Sequence, residues 1–177
     1  PYPYDYMRKT GKPVGQQMGY KYDGFFSEED VAKYETERGK SIPDHGTGYI
    51  PKPGDVKYKD LNNDHKIDQY DVAAIGYPVY PLLTGGINLG FSYKGFDFSM
   101  LLQGVGKHKV YYNNQAFRFV TVMGQSLNKD ITDHAWTPEN PYNSKYPRLR
   151  NNANSKNNIA SDALVFNASY LRCKNIQ

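Results

Sequence analysis

The densest chemistry in the sequence lies between Asp60 and Asp71. Oxygen donors fall at loop positions 1, 3, 5, 9 and 12 as Asp60, Asn62, Asp64, Asp68 and Asp71, with the main-chain carbonyl of Lys66 at position 7 and apolar Ile67 at position 8. Calcium is a hard cation that takes about six to eight oxygens, and four carboxylates this close together need a cation to offset their repulsion. The spacing is close to an EF-hand-like or dockerin-like calcium loop, so a structural calcium is the expected cofactor. Two residues depart from it: His65 stands where the sharp turn favours Gly at positive φ, and Asp71 replaces the longer bidentate Glu. An Asx-rich turn, held by side-chain to main-chain hydrogen bonds, would use the same residues without a metal.

Other reactive patterns are thin, and no enzyme is expected. Gly106-Lys107 fails as a P-loop, because Leu101 sits where the first Gly belongs and His108 where Ser or Thr must hold magnesium. Neither H-E-x-x-H nor G-x-S-x-G occurs. His45, His65, His108 and His134 lack a second ligand at metal spacing and read as solvated loop histidines. Cys173, the single cysteine, falls on the apolar side of a strand pattern and reads as a buried, inert thiol. Tyr111, Tyr112, Phe117, Trp136 and Tyr142 offer large contact area at small entropy cost, so they are the expected contacts to a substrate or partner; packing between loops is the competing use. The net charge is +4, but the basic residues are dispersed in short clusters such as Lys107 to Lys109, and no nucleic-acid partner is expected.

The elements that must position these residues are strands. Ile87, Leu89, Phe91 and Tyr93 alternate with polar or small residues, and Phe96, Phe98, Met100 and Leu102 do the same after Lys94-Gly95. A two-residue turn at Lys94-Gly95 pairs Tyr93 with Phe96, Phe91 with Phe98, Leu89 with Met100 and Ile87 with Leu102, so all four apolar pairs share one face. Strands of about nine residues cross a bilayer when tilted, and the aromatic pairs collect at the turn end as an interfacial girdle does. An ordinary half-buried hairpin in a soluble sandwich would alternate in the same way.

Of 177 residues, 38% are hydrophobic and 15% aromatic, with 17 Tyr, and no run of about 18 apolar residues occurs, which excludes a helical membrane span but not a strand-built one. A looser strand is expected over 14–23 and another over 163–176, where Leu171 and Cys173 alternate with Arg172 and Lys174. The connections over 24–84 and 105–162 are far longer than loops of a compact domain, and short turns on one side with long loops on the other is the asymmetry of an outer-membrane barrel. Ser27 to Asp30 followed by Gly39 predicts a short surface helix; 115–127 is unresolved between helix and strand, and 151–158 reads as a polar tip. The abrupt ends read as those of an excised piece.

Residues 54–68, GDVKYKDLNNDHKID, resemble the recurrent segment GDIKYKDLNGDGKID of SusC/RagA-type TonB-linked outer-membrane transporters. YKGFDFS at 93–99, WTPENP at 136–141, YPRL at 146–149 and SYLRCKNI at 169–176 resemble, in order, further blocks from the C-terminal part of that family, and GKPVG at 11–15 resembles an upstream one. His65 for the usual Gly and Cys173 for a usual Leu are among the departures. The resemblance implies an all-β fold: several antiparallel strands of a transmembrane barrel of about 22 strands, with long extracellular loops carrying short helices. Residues 1–177 would then be a partial C-terminal barrel region, without the plug domain and the final strands. It further implies the bacterial outer membrane as location, import of oligosaccharides or peptides, a SusD-like surface lipoprotein as partner, and coupling to the TonB complex through N-terminal parts that are absent. The alternative is a soluble β-rich carbohydrate-binding module with a calcium-stabilised loop.

Overall fold

The computed structural model describes residues 2–111, 127–150 and 156–177. Tyr112, Phe117 and most of the 115–127 and 151–158 stretches lie outside the described residues. Two β-strands dominate, β5 (Leu83–Tyr93) and β6 (Phe96–Gly106), joined at Lys94-Gly95. Both turn residues have positive φ, 49° at Lys94 and 82° at Gly95, the backbone that lets a two-residue loop follow the right-handed twist of its strands. The register is the one predicted by alternation: Tyr93 opposite Phe96, Phe91 opposite Phe98, Leu89 opposite Met100 and Ile87 opposite Leu102. β9 (Tyr170–Ile176) adds antiparallel to the other edge of β6, completing a three-stranded sheet in the order β5-β6-β9.

A bulge keeps β9 in phase with that face. Leu101 pairs with Asn175 but Leu102 pairs with Cys173, so Lys174 is the extra residue. Strict alternation after Leu171 and Cys173 would place Asn175 among the apolar side chains; the bulge sets Ile176 opposite Met100 instead. The apolar face is bare. Along it Leu89 is 45% exposed, Phe91 57% and Tyr93 65%, and the rings of Phe91 and Phe98 stack at 5.2 Å. The other face carries Asn88, Ser92, Asp97, Ser99 and Gln103, with Arg172 Nη2 donating to Gln103 Oε1 at 3.1 Å. Among the described residues the sheet ends at two free edges, β5 and β9.

The described parts of the long connections are structured. β1 (Met18–Tyr20) pairs with β4 (Val72–Ala74), and β2 (Tyr22–Phe25) with β3 (Val56–Tyr58), all antiparallel. The strand expected over 14–23 as a neighbour of the wall is therefore split at Lys21 and belongs to the loops. Its partners lie in the same loop, and Gly19 fits against the chain at Ala160, where a Cβ would come within 2.5 Å of the carbonyl oxygen. The helix α1 (Glu28–Glu37) starts on a full capping box: Ser27 Oγ accepts the Asp30 N–H at 3.0 Å and the Ser27 N–H donates to Asp30 at 3.1 Å. It stops before Gly39, which has a φ of 71°.

Beyond the three-stranded sheet, β7 (Lys109–Tyr111) pairs with β8 (Val165–Asn167), and the Ala168 N–H bonds the His108 carbonyl at 3.0 Å, so the β6 and β9 pairing continues past a break at Lys107 and His108 into the loops. There α2 (Lys129–His134) closes a small core of Ile131, Tyr146 and Leu164, flanked by Tyr111, Leu149 and Phe166. The described parts of the two loops thus pack together on the end of the sheet opposite the Lys94-Gly95 turn.

Candidate functional site

The loop body is held at its centre by polar residues from both connections. Asp55 is fully buried and accepts from Tyr49 Oη at 3.1 Å, the Lys52 N–H at 2.7 Å and Asn157 Nδ2 at 3.1 Å, while Arg150 Nη2 lies 3.0 Å from its second oxygen. Asn157 Oδ1 accepts the Val56 N–H at 2.9 Å, and Tyr58 Oη donates to the Lys156 carbonyl at 2.7 Å. Burial pushes the Tyr49 and Tyr58 phenols far up, so both act as neutral donors.

His45 departs from the expectation of a solvated histidine: it is only 3% exposed. Its ring lies between Phe26 at 5.1 Å and Tyr58 at 6.1 Å. Nδ1 lies 2.9 Å from the Pro43 carbonyl and Nε2 accepts the Tyr58 N–H at 3.3 Å, so the neutral tautomer carries its proton on Nδ1. Burial pushes its pKa down to about 4. Cys173 also departs from expectation, being exposed, because the face it shares with Leu102 is bare.

The Asp60–Asp71 loop is held by main-chain N–H groups donating to its own aspartates. Asn63 and His65 both have positive φ, 59° and 63°, so His65 takes the conformation that Gly holds at this position. Asp60 accepts the N–H groups of Asn63 and His65, each at 2.7 Å, and Asp64 accepts that of Lys66 at 2.9 Å. Asp71 is buried and accepts the N–H groups of Leu61 at 2.7 Å and Asp68 at 2.9 Å; burial raises its pKa, with Asp60 and Asp68 adding to the rise. Among the described residues none of Asp60, Asp64, Asp68 and Asp71 is ion-paired with Lys, Arg or His. By type and spacing the donors fit calcium, with Asn62 and the Lys66 carbonyl completing the set. As arranged, no three acidic or histidine side chains share one centre, so an ion would turn them inward from the backbone.

The expected aromatic contacts divide by environment. Tyr111 is half-buried against the small core. Trp136 is buried: its ring covers Gly54, where a Cβ would lie 2.3 Å from Cδ2, and the Arg148 guanidinium stands 5.9 Å from its centroid. Tyr142 is 96% exposed. One edge of Trp136 nevertheless reaches a groove of about 630 Å³, whose rim includes Tyr142 and whose other side is the start of α1. Phe25, Glu28 and Glu29 were not expected there. They lie more than a hundred residues from Trp136 in the chain, and no local pattern marks the pairing.

No protein-family model matches the chain, and no curated protein matches it. Among solved structures it is similar to a chain in the structure of the RagAB peptide importer in the "open-open" state, with a TM-score of 0.51 and 20% identity. The likeness covers 91% of this chain and 15% of that one, so this chain spans a small fraction of the importer subunit. What the likeness shows is a similarity of fold alone.

Proposed function

We propose that the chain is a stretch of barrel wall and extracellular loops from a TonB-dependent outer-membrane transporter of the SusC/RagA type. The observation that carries this reading is the bare apolar face of β5, β6 and β9. Its two longest strands have 11 residues each, the length that crosses a bilayer when tilted. Aromatic residues gather at the turn end as Phe91, Tyr93, Phe96 and Phe98, and exposed Tyr77 and Tyr80 lead into β5 at the other. A soluble carbohydrate-binding module would leave this face in water, where so large an apolar patch favours association. The fold likeness to the RagAB peptide importer supports the same reading.

In this reading the wall faces lipid, the loop body lies outside the cell, and the chain takes part in import of oligosaccharides or peptides without a catalytic step of its own. A SusD-like lipoprotein would cover the loops, and the TonB complex would act through other parts of the transporter. Cys173 offers the test, since it lies on the face in question. A nitroxide on Cys173, in a background where it is the only cysteine, should relax with dissolved oxygen and not with a water-soluble nickel chelate. Relaxation dominated by the nickel complex would place this face in water and end the membrane reading.

A further inference from the structure

The groove between the loops has a specific composition. Apolar walls come from both connections, Phe25 on one side and Trp136, Pro138 and Pro141 on the other. Among the described residues its charged lining is entirely anionic: Glu28 and Glu29, on the first turn of α1. No Lys, Arg, His or amide side chain lines it among the described residues. Glu29 has only a solvent-exposed contact to Lys33 at 4.0 Å, and Glu28 has no ion pair among the described residues. The chain as a whole is basic, so this acidic recess stands against the overall charge.

The walls are formed before any ligand arrives. Trp136 is fixed between Gly54 and Arg148, and its main-chain N–H donates to the Tyr146 carbonyl at 2.9 Å. Phe26, beneath the groove, packs edge-on against Tyr34 at 5.9 Å. The capping box fixes the main chain that carries the two glutamates, whose side chains are exposed. Only Tyr142 on the rim stands free, with its ring available to cover an occupant.

We infer that this groove binds a short basic peptide, with a Lys or Arg side chain set against Glu28 and Glu29 and neighbouring apolar or prolyl residues packed on Phe25, Trp136, Pro138 and Pro141. Carboxylates suit a cation through charge-assisted hydrogen bonds, and the exposed ring of Tyr142 can add attraction to its quadrupole. A neutral glycan carries no charge to meet the two carboxylates, whereas a Lys or Arg side chain does. The inference rests on the extracellular placement of the loops proposed above, since cargo must reach the groove from outside.

The test uses the intact transporter in detergent and a fluorescein-labelled peptide, Gly-Pro-Arg-Pro-Phe-Gly, read by anisotropy. The peptide should bind saturably, and the same peptide with citrulline for Arg should bind at least tenfold more weakly. Glu28→Gln with Glu29→Gln should weaken the Arg peptide at least tenfold and leave the citrulline peptide unchanged. Tyr142→Ala, at a fully exposed position that does not support the fold, should weaken both peptides. Equal binding of the Arg peptide to parent and double variant, or binding of maltoheptaose but not of the peptide, would overturn the inference. These outcomes are separate from the Cys173 experiment: a lipid-facing Cys173 with no peptide binding removes the groove alone, whereas a water-facing Cys173 removes the transporter reading first.

Discussion

Arg150 Nη2 lies 3.0 Å from Asp55 Oδ2 with both side chains out of water, Asp55 fully and Arg150 at 9% exposure, and this pair joins two connections that are distant in the sequence. A buried pair contributes little net stability over an apolar replacement, but removing one partner leaves an uncompensated charge. Arg150→Met should therefore destabilise the loop body by about 3 to 5 kcal/mol. Asp55 also holds Tyr49, Lys52 and Asn157, so Asp55→Ala should cost at least as much. The near-ultraviolet tyrosine signal during thermal unfolding measures both, and a loss below about 1 kcal/mol for Arg150→Met would mean that water reaches the pair.

His45 gives the loop body an acid limit. Its folded pKa is depressed to about 4 by burial, below the ordinary value of 6.5, so the fold favours the neutral ring. The stability it contributes is complete above pH 6.5 and is lost as pH falls through about 4, where protonation displaces the Tyr58 N–H from Nε2. The depression corresponds to about 3 kcal/mol. Asp30 and Asp44 are held below the usual carboxylate range, by hydrogen bonds from Lys57 and Arg38 that outweigh their burial, and add their own loss at lower pH. Comparing parent with His45→Gln isolates the histidine: urea midpoints should fall more steeply for the parent between pH 6.5 and 4, and parallel profiles would show the ring to be solvated.

The wall hairpin was legible in the sequence because its information is local. Period-two alternation set the faces, and Lys94-Gly95 set the register of every pair from Ile87–Leu102 to Tyr93–Phe96. The capping box of α1 and the turn shape around His65 were legible for the same reason. The loop body was not, because it depends on contacts between residues about a hundred positions apart: Asp55 with Arg150, Val56 with Asn157, Gly54 with Trp136. A lone His or Gly has no periodicity, so nothing local distinguished His45 from a surface histidine or marked Gly54 as the bed of an indole ring. The bulge at Lys174 escaped likewise, since only its partner strand shows that alternation slips there.

Leu89, opposite Met100 near the middle of the sheet, lies on its apolar face and is exposed. In a membrane-embedded barrel an arginine at that depth should cost about 2 to 4 kcal/mol, whereas Asn88→Arg, on the polar face one residue away, should cost about 0 to 1 kcal/mol. The ratio of folded to unfolded barrel on unheated gels, across a urea series in phosphatidylcholine vesicles, measures both variants. Equal assembly of Leu89→Arg and Asn88→Arg would remove the assignment of this face to lipid.

The Asp60–Asp71 loop is proposed to take calcium in a structural role. Four aspartates lie within one loop without a basic partner among the described residues, and their mutual repulsion adds to the rise in the Asp71 pKa. The backbone is already bent as a calcium loop requires at Asn63 and His65, so an ion needs only side-chain rotation to gather Asp60, Asn62, Asp64 and Asp68. Asp71 is the weakest donor, being short and already bonded to two N–H groups, which places the affinity at the low end expected of extracellular calcium sites, about 10⁻⁴ to 10⁻³ M. Calcium at 10 times the dissociation constant should then add about 1.4 kcal/mol, by mass action on the folded state. Asp60→Ala should abolish that increment and also loosen the turn in chelator, because the Asn63 and His65 N–H groups lose their acceptor. Titration calorimetry and thermal midpoints of parent and variant, with calcium and with chelator, decide the matter: a parent midpoint indifferent to calcium, with Asp60→Ala lower by the same amount in both buffers, would leave a turn held by its own hydrogen bonds and no ion.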